Sequence, residues 1–228
     1  VKSWQTERAA HQLAICMEDG GVALSLQNGL GNDAILIKKL GTTRVARGVT
    51  TIGATLIAPG LVSLGGDGMV SLETDKRLSP LQEMLQRAGF SINVVSDLQP
   101  LVWGKLATSS AINPLSALLR VNNGELLQIP SARMLMGELA RETARVANAV
   151  GVTIQVSKIE RATEEVARRT AENYSSMLQD VLRGSPTEID AINGAVVQQA
   201  EEFNLKVPVN RTIWSLVKAL PVHGKIVT

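Results

Sequence analysis

The chain of 228 residues has one cysteine, Cys16, two histidines, His11 and His223, and only 3% aromatic residues. A lone cysteine excludes an internal disulfide and suits a reducing compartment, so a cytoplasmic protein is expected. With so few soft ligands there is no zinc-ligand spacing, and no metal is expected. An excess of charge of either sign is also lacking: 23 basic against 21 acidic residues leave a net charge of +2. No basic block or arginine-rich tract occurs, which speaks against a nucleic-acid partner. Membrane-length apolar runs are absent too. The uncharged stretch 48–66 is broken by glycines, threonines and Pro59, and 106–119 is too short to span a bilayer, so no membrane partner is expected. What remains is a hydrophobic fraction of 45%, enough for a sizeable core that must be mostly aliphatic.

Along the chain the pattern changes once. Before about residue 96, strand and helix signals alternate. A helix is predicted at 6–17, a buried strand at 22–27, and a helix at 32–40 with Asn32 as its N-cap. Two segments rich in β-branched residues, 45–57 and 61–73, flank the Pro59-Gly60 turn, and a helix at 78–88 and a strand at 91–95 follow. Such alternation predicts an α/β layer with a partly parallel sheet. After Asp97 strand signals nearly vanish, and helices are predicted at 98–119, 131–150, 157–170, 175–182, 186–203 and 210–220. Ser157 with Glu160, and Ser185 with Glu188, have capping-box spacing, the second with Pro186 at the favoured first position. Two domains are therefore expected, residues 1–96 and 97–228. The chain opens Val-Lys-Ser-Trp, without an initiator methionine or a secretory signal, in what reads as the middle of a domain.

The most informative segment lies in the second half. Lys105, Ser109 and Asn113 stand at i, i+4 and i+8, so a helix presents all three on one face among Val102, Trp103, Leu106, Ala111, Ile112 and Leu115. A lysine is seldom fully buried without a partner. Two readings follow: a stem that snorkels to the surface, or an ammonium with a task in a closed pocket. Pro114 removes one N–H inside this helix and frees the carbonyl of Ser110. Gly29-Leu30-Gly31-Asn32-Asp33-Ala34 formally fits a dinucleotide fingerprint, but no acidic residue follows between Asp33 and Asp67 to hold a ribose. It reads instead as a tight loop whose glycines let the backbone approach a ligand, with the Asn28 amide pointing at it, or as a plain strand-to-helix turn. Glu188 is either the return partner of a capping box or a carboxylate that holds a lysine or accepts from a substrate hydroxyl. Asn173 and Ser176 precede a short helix as ligand donors or as caps, and Asn122-Asn123-Gly124 reads first as a turn. Neither histidine accompanies a nucleophile.

Taken in order, these segments resemble one family. Gln27-Asn28-Gly29-Leu30-Gly31, Trp103-x-Lys105-Leu106, Ile112-Asn113-Pro114-Leu115, Asn123-Gly124-Glu125-Leu126, Ser175-Ser176-Met177-Leu178-Gln179-Asp180 and Thr187-Glu188-Ile189-Asp190-x-Ile192-Asn193-Gly194 occur in sequence. Over essentially its whole length the chain is similar to the 2-dehydropantoate 2-reductase (ketopantoate reductase) family. The resemblance implies an α/β remnant of a Rossmann-type domain followed by an all-α C-terminal domain, the family's glycine-rich cofactor loop being expected before Val1. It implies NADPH as cofactor and the reduction of a 2-oxo acid, 2-dehydropantoate, to pantoate in pantothenate biosynthesis by the full-length protein, with this chain alone weakly active or inactive. Lys105 matches the catalytic lysine, the general acid that protonates the carbonyl oxygen. Asn28, Ser109, Asn113, Asn123, Asn173 and Ser176 match substrate-contacting positions, and Lys2, Asn28, Ala54 and Glu188 match positions near the cofactor.

Elementary chemistry agrees with that assignment. Hydride arriving at a ketone creates an alkoxide, which needs a cation beside it. A lysine lined by an apolar wall has its pKa lowered toward neutrality and can donate a proton. Ser109 stands where the family usually has asparagine, which leaves the exact 2-oxo acid open. The rival readings are a reductase for a different 2-oxo acid and a non-catalytic helical interaction or dimerisation domain derived from such a reductase. A homodimer is left open.

Overall fold

The strand and helix signals of the first half produce a sheet made of two parallel pairs. The computed structural model describes residues 1–64 and 68–221. In the unit Val1–Gln99, α1 (Thr6–Cys16) leads to β1 (Ala23–Ser25), and α2 (Asn32–Leu40) carries the chain across to β2 (Val45–Thr50), parallel to β1 with Ala23 opposite Val45. A separate antiparallel hairpin, β3 (Ala54–Ala58) and β4 (Leu61–Leu64), turns at Pro59-Gly60. The second pair is β5 (Met69–Glu73) and β6 (Ser91–Val95), again parallel and joined through α3 (Ser79–Arg87). β2 and β5 run antiparallel with Val49 opposite Ser71, so the order is β1-β2-β5-β6.

Successive side chains of a strand point to opposite faces, and the apolar clusters follow that rule. Ala23 and Val45 pack with Ala10, Leu36 and Leu40 of the first two helices. Leu24, Ala46, Val70 and Leu72 pack with Leu78 and Leu81. The result is a mixed, Rossmann-like sheet with helices on both faces.

Two local expectations change. β2 ends at Thr50 instead of running on toward residue 57. Here the Thr50 hydroxyl takes the Ile52 N–H at 3.1 Å and the Thr51 hydroxyl takes the Met69 N–H at 3.0 Å, so threonine oxygens compete with the ladder. Asn32 is not the N-cap of α2. Gly31 holds that position, and the Asn32 side chain instead accepts from Thr6 Oγ1 at 2.9 Å and donates to the Asn28 carbonyl at 3.0 Å.

Among its described residues the unit Pro100–Thr228 consists of helices and the loops that join them, with no strand. Its elements are α4 (Gln99–Leu119), the short α5 (Glu125–Gln128), α6 (Pro130–Ala149), α7 (Val156–Arg169), α8 (Ser176–Leu182), a π-helical turn Asp190–Gly194 running into α9 (Ala195–Glu202), and α10 (Pro208–Lys218). Pro130 and Pro208 open their helices at the position where a missing N–H does no harm. The core is aliphatic: Ala107, Ala111 and Leu115 of α4 meet Met136, Leu139 and Ala140 of α6.

α5 has no counterpart among the predicted helices; the Glu125 carboxylate accepts from the Asn122 N–H at 3.0 Å and so starts it. The helix expected from Pro186 begins at Asp190, and the capping box at Ser185 does not form. The Ser185 N–H donates to the Asp180 carbonyl at 2.9 Å, folding the chain back onto the end of α8. The Ser157 box is absent as well: α7 starts at Val156, and Glu160 pairs with Arg141. Among the described residues no helix is long and apolar enough to cross a membrane.

Candidate functional site

The centre of the helical unit is α4, whose length and apolar content come from the run between Leu101 and Leu119. Lys105, Ser109 and Asn113 lie on one face of it by helical geometry, each half-buried. Burial lowers the Lys105 pKa from 10.5 to about 8, and the charge of Glu188 partly opposes that fall. Glu188 itself is only 5% exposed and stands in the irregular segment just before the π-helical turn, outside any capping box. The structure therefore sets an ammonium and a carboxylate within electrostatic reach of each other, which a lysine snorkelling into solvent does not do.

Two loops join this helix. The Ser175 hydroxyl donates to the Asn113 carbonyl at 3.3 Å and accepts from the Leu178 N–H at 3.0 Å, so Ser175 is the cap of α8. That leaves Ser176 at the first helical position, its hydroxyl without a hydrogen bond among the described residues. Asn123 is buried; its N–H donates to the Asn173 carbonyl at 3.1 Å and its amide to the Thr170 hydroxyl at 2.9 Å. Beside it, a Cβ on Gly124 would lie 2.6 Å from that of Ala171, so only glycine lets these loops touch. The side chains of Ser109, Asn113 and Asn173 also make no hydrogen bond among the described residues, and Asn123 Oδ1 is buried without a partner. These side chains are neutral donors and acceptors that the fold has not used. Such a set suits a small oxygen-rich anion.

A buried polar network beneath this face was not legible as a site. Asn193, in the π-helical turn, donates from its amide to the Ser110 carbonyl at 2.9 Å, the group that Pro114 frees. The same nitrogen donates to Asn210 Oδ1 at 2.9 Å, and Asn210 in turn donates to the Leu139 carbonyl and to Glu142. Glu142, 2% exposed, also accepts the N–H groups of Val209 and Asn210 at 3.0 and 2.8 Å, capping α10 from α6. The signal for it lay in Pro114: a freed buried carbonyl must find a donor. At the outer side of the turn, Asp190 accepts from Trp214 Nε1 at 2.7 Å and pairs with Lys218 at 3.0 Å.

The remaining candidates lie in the first unit. Asn28 is half-buried in the loop after β1, where Gly29 and Gly31 take φ values of +82° and +86°. Backbone of that kind is open to glycine at little cost, as expected for a tight loop. Gln27 donates to the Thr6 hydroxyl at 2.8 Å, and that hydroxyl donates to Asn32, so the loop is pinned to α1. Lys2 is half-buried, its N–H donating to Gln5 Oε1 at 3.1 Å, and Ala54 is exposed at the start of β3. No group of three or more His, Cys, Asp or Glu able to hold a metal occurs among the described residues.

A Rossmann-like region followed by an all-helical domain with a half-buried lysine is an architecture of oxidoreductases, and comparison with known proteins gives the family. The family model described as ketopantoate reductase PanE/ApbA C terminal matches residues 97–221, and that described as ketopantoate reductase PanE/ApbA matches residues 1–76. The chain belongs to the ketopantoate reductase family. It is 40% identical to a 2-dehydropantoate 2-reductase of Archaeoglobus fulgidus over 96% of this chain and 74% of that protein, and 38% identical to one of Halobacterium salinarum over 98% and 75%. Among solved structures it is similar to a PanE/ApbA family ketopantoate reductase from Ralstonia eutropha, with TM-score 0.88 and 29% identity, covering 96% of this chain and 73% of that one. D-mandelate dehydrogenase in a ternary structure with NADH and anilino(oxo)acetate is similar with TM-score 0.89 and 25% identity, over 96% and 74%.

Proposed function

We propose that this chain supplies the proton donor and the substrate-holding groups of an NADPH-dependent reductase that converts 2-dehydropantoate to pantoate in pantothenate biosynthesis. The observation that carries this is Lys105, its pKa brought to about 8, under the charge of buried Glu188 and on one helix face with Ser109 and Asn113. A group with that pKa is largely protonated at neutral pH yet gives up its proton readily. Lys105 Nζ donates a proton to the substrate's carbonyl oxygen as negative charge develops there. Asn113, Asn123, Asn173 and Ser176 hold the carboxylate and hydroxyl with neutral donors, and Ser109 sits between Lys105 and Asn113 to meet the distal part of the substrate. Glu188 orients the ammonium and keeps it charged.

The first unit fits a nicotinamide nucleotide in one respect that the structure displays. The 27–31 loop leaves the carboxyl end of a strand in a parallel pair, the place where α/β sheets present ligands. Its glycine backbone and the Asn28 amide suit the polar part of such a cofactor, with Lys2 and Ala54 the other residues of this unit that would hold it. When bound, the reduced nucleotide supplies the hydride. The single exposed cysteine is in keeping with a cytoplasmic enzyme acting on small molecules.

A second reading, a reductase for a bulkier 2-oxo acid, is favoured by the short Ser109 side chain and by the likeness to D-mandelate dehydrogenase. The test is steady-state reduction of ketopantoate and of a phenyl-substituted 2-oxo acid by the full-length protein with NADPH and with NADH. Higher kcat/KM for ketopantoate with NADPH is expected; preference for the phenyl substrate supports the second reading. Absence of turnover with every 2-oxo acid and both cofactors refutes both, in favour of a non-catalytic interaction domain.

A further inference from the structure

Two backbone irregularities face each other inside the helical unit. Pro114 in α4 lacks the N–H that would bond to the Ser110 carbonyl, and the Asp190–Gly194 turn is π-helical, its Gly194 N–H reaching back to the Ile189 carbonyl at 3.0 Å. One side chain spans them. Asn193 is fully buried, and its amide nitrogen donates to the Ser110 carbonyl and to Asn210 Oδ1, both at 2.9 Å.

The orientation of that amide is fixed from outside. Asn210 must turn its own nitrogen toward the Leu139 carbonyl and the Glu142 carboxylate, so it offers Asn193 only an oxygen. Rotated by half a turn, Asn193 would set its oxygen against two acceptors. The Asn193 oxygen is meanwhile buried and has no partner among the described residues. An amide whose acceptor goes unused at this depth is retained for its two donor bonds, since a buried orphan acceptor is itself destabilising. The turn that Asn193 anchors begins at the Glu188 carbonyl, which accepts the N–H groups of Ala191 and Ile192 at 3.1 Å. The helix that it anchors carries Lys105.

We propose that Asn193 is a positioning residue of this site: by tying the Ser110 carbonyl of α4 to the π-helical turn, it sets the spacing between Lys105 and Glu188. The proposal rests on the reductase reading for its catalytic consequence, but the spacing itself can be measured without turnover. Glu188 is the charged group that acts on Lys105 among the described residues. If the turn moves away, the ammonium loses that support and titrates at lower pH. A change from about 4 to about 5 Å between unit charges at an effective dielectric near 20 corresponds to roughly half a pH unit.

The experiment follows the Lys105 titration by NMR in lysine-labelled protein, with Lys105→Met assigning the resonance, alongside urea unfolding and, in the full-length reductase, kcat and KM. Asn193→Ala should lower both the stability and the Lys105 pKa, and reduce kcat by about tenfold or more, since small misplacements of reacting groups are costly, with KM within about twofold. Adding Pro114→Ala returns an N–H to position 114 that can satisfy the Ser110 carbonyl within α4. In that double variant stability should recover in part, the Asn210 oxygen still lacking its donor, while the Lys105 titration and kcat stay displaced, because the link to the turn is still missing. The double variant also serves where Asn193→Ala alone does not fold. An unmoved Lys105 titration in Asn193→Ala, or its recovery together with stability in the double variant, overturns the proposal and reduces Asn193 to a filler of a helix defect. Should Lys105→Met retain full turnover, the general-acid reading fails, while the titration still decides the role of Asn193.

Discussion

Removing the Lys105–Glu188 pair should stabilise the protein as it destroys the chemistry. The fall of the Lys105 pKa from 10.5 to about 8 means that the folded state holds this proton less well than the unfolded chain does. At neutral pH that difference is worth at most about 3 kcal/mol against folding. A folded pKa below the unfolded one gives the sign: the penalty is complete below pH 8 and is relieved as pH rises from 8 to 10.5. Lys105→Met alone should gain little, because it leaves Glu188, 5% exposed, without its cation; breaking a buried pair on one side typically costs about 3–5 kcal/mol. Lys105→Met with Glu188→Gln removes both charges and should raise Tm by roughly 4–10 °C at pH 7. Urea unfolding at pH 7 and pH 10 is the assay, with wild type expected to close part of the gap to the double variant at the higher pH. A gap that stays constant between the two pH values, or a single variant as stable as the double one, refutes the reasoning. Turnover of either variant in the full-length enzyme should fall by about 10²–10⁴-fold.

Ser109→Asn in the full-length enzyme should raise kcat/KM for ketopantoate relative to a bulkier 2-oxo acid by several-fold, about 1 kcal/mol for one reshaped polar contact; an unchanged ratio places Ser109 away from the substrate. Glu142→Ala should cost about 3 kcal/mol in chemical denaturation, since it strips the acceptor from two backbone N–H groups of α10 and from the Asn210 amide. A loss below about 1 kcal/mol would mean that α10 is held by packing alone. Gly31→Ala should cost about 1–2 kcal/mol from its φ of +86° alone, because a Cβ there meets nothing within 4 Å, and a larger thermal shift would point to a clash that this geometry does not contain.

Helical periodicity made α4 and its polar stripe readable, because residues four apart share a face whatever packs around them. The alternation before residue 96 was readable for the same reason. Pairing directions were less so: nothing local distinguishes the antiparallel contact of β2 with β5 from the parallel contacts on either side. Glu188 illustrates the limit most clearly. Its spacing from Ser185 and the preceding Pro186 are a strong local start signal, yet the chain turns back at Ser185 toward Asp180 and delays the helix to Asp190. The buried hydrogen bonds of Asn193 and Asn210 that follow it run across 83 and 71 positions of sequence to the Ser110 and Leu139 carbonyls. No window along the chain contains those contacts.

The polar content of the helical unit bears on whether it serves as an enzyme or as a scaffold. Its main apolar cluster is alanine, leucine, isoleucine and methionine, and such a core gains nothing from ionised groups, which are destabilising unless paired and hydrogen-bonded. Glu142 is hydrogen-bonded by three neutral donors and is explained by the helix that it caps. Lys105 is different: its proton is held less tightly than in water, so the fold tolerates the ammonium at a net loss despite Glu188. In the same unit, Ser109, Asn113, Asn173 and Ser176 are half-buried with side chains that make no hydrogen bond among the described residues. In a scaffold such groups would be replaced by apolar residues or satisfied internally, since either change is stabilising. A site that must take in an oxo acid needs them uncommitted, because each donor used by the protein is one fewer for the carboxylate. The contrast between Glu142, which accepts from three donors, and the side chains of Ser109, Asn113, Asn173 and Ser176, which make no hydrogen bond among the described residues, is in keeping with the proposed substrate site on a rigid support.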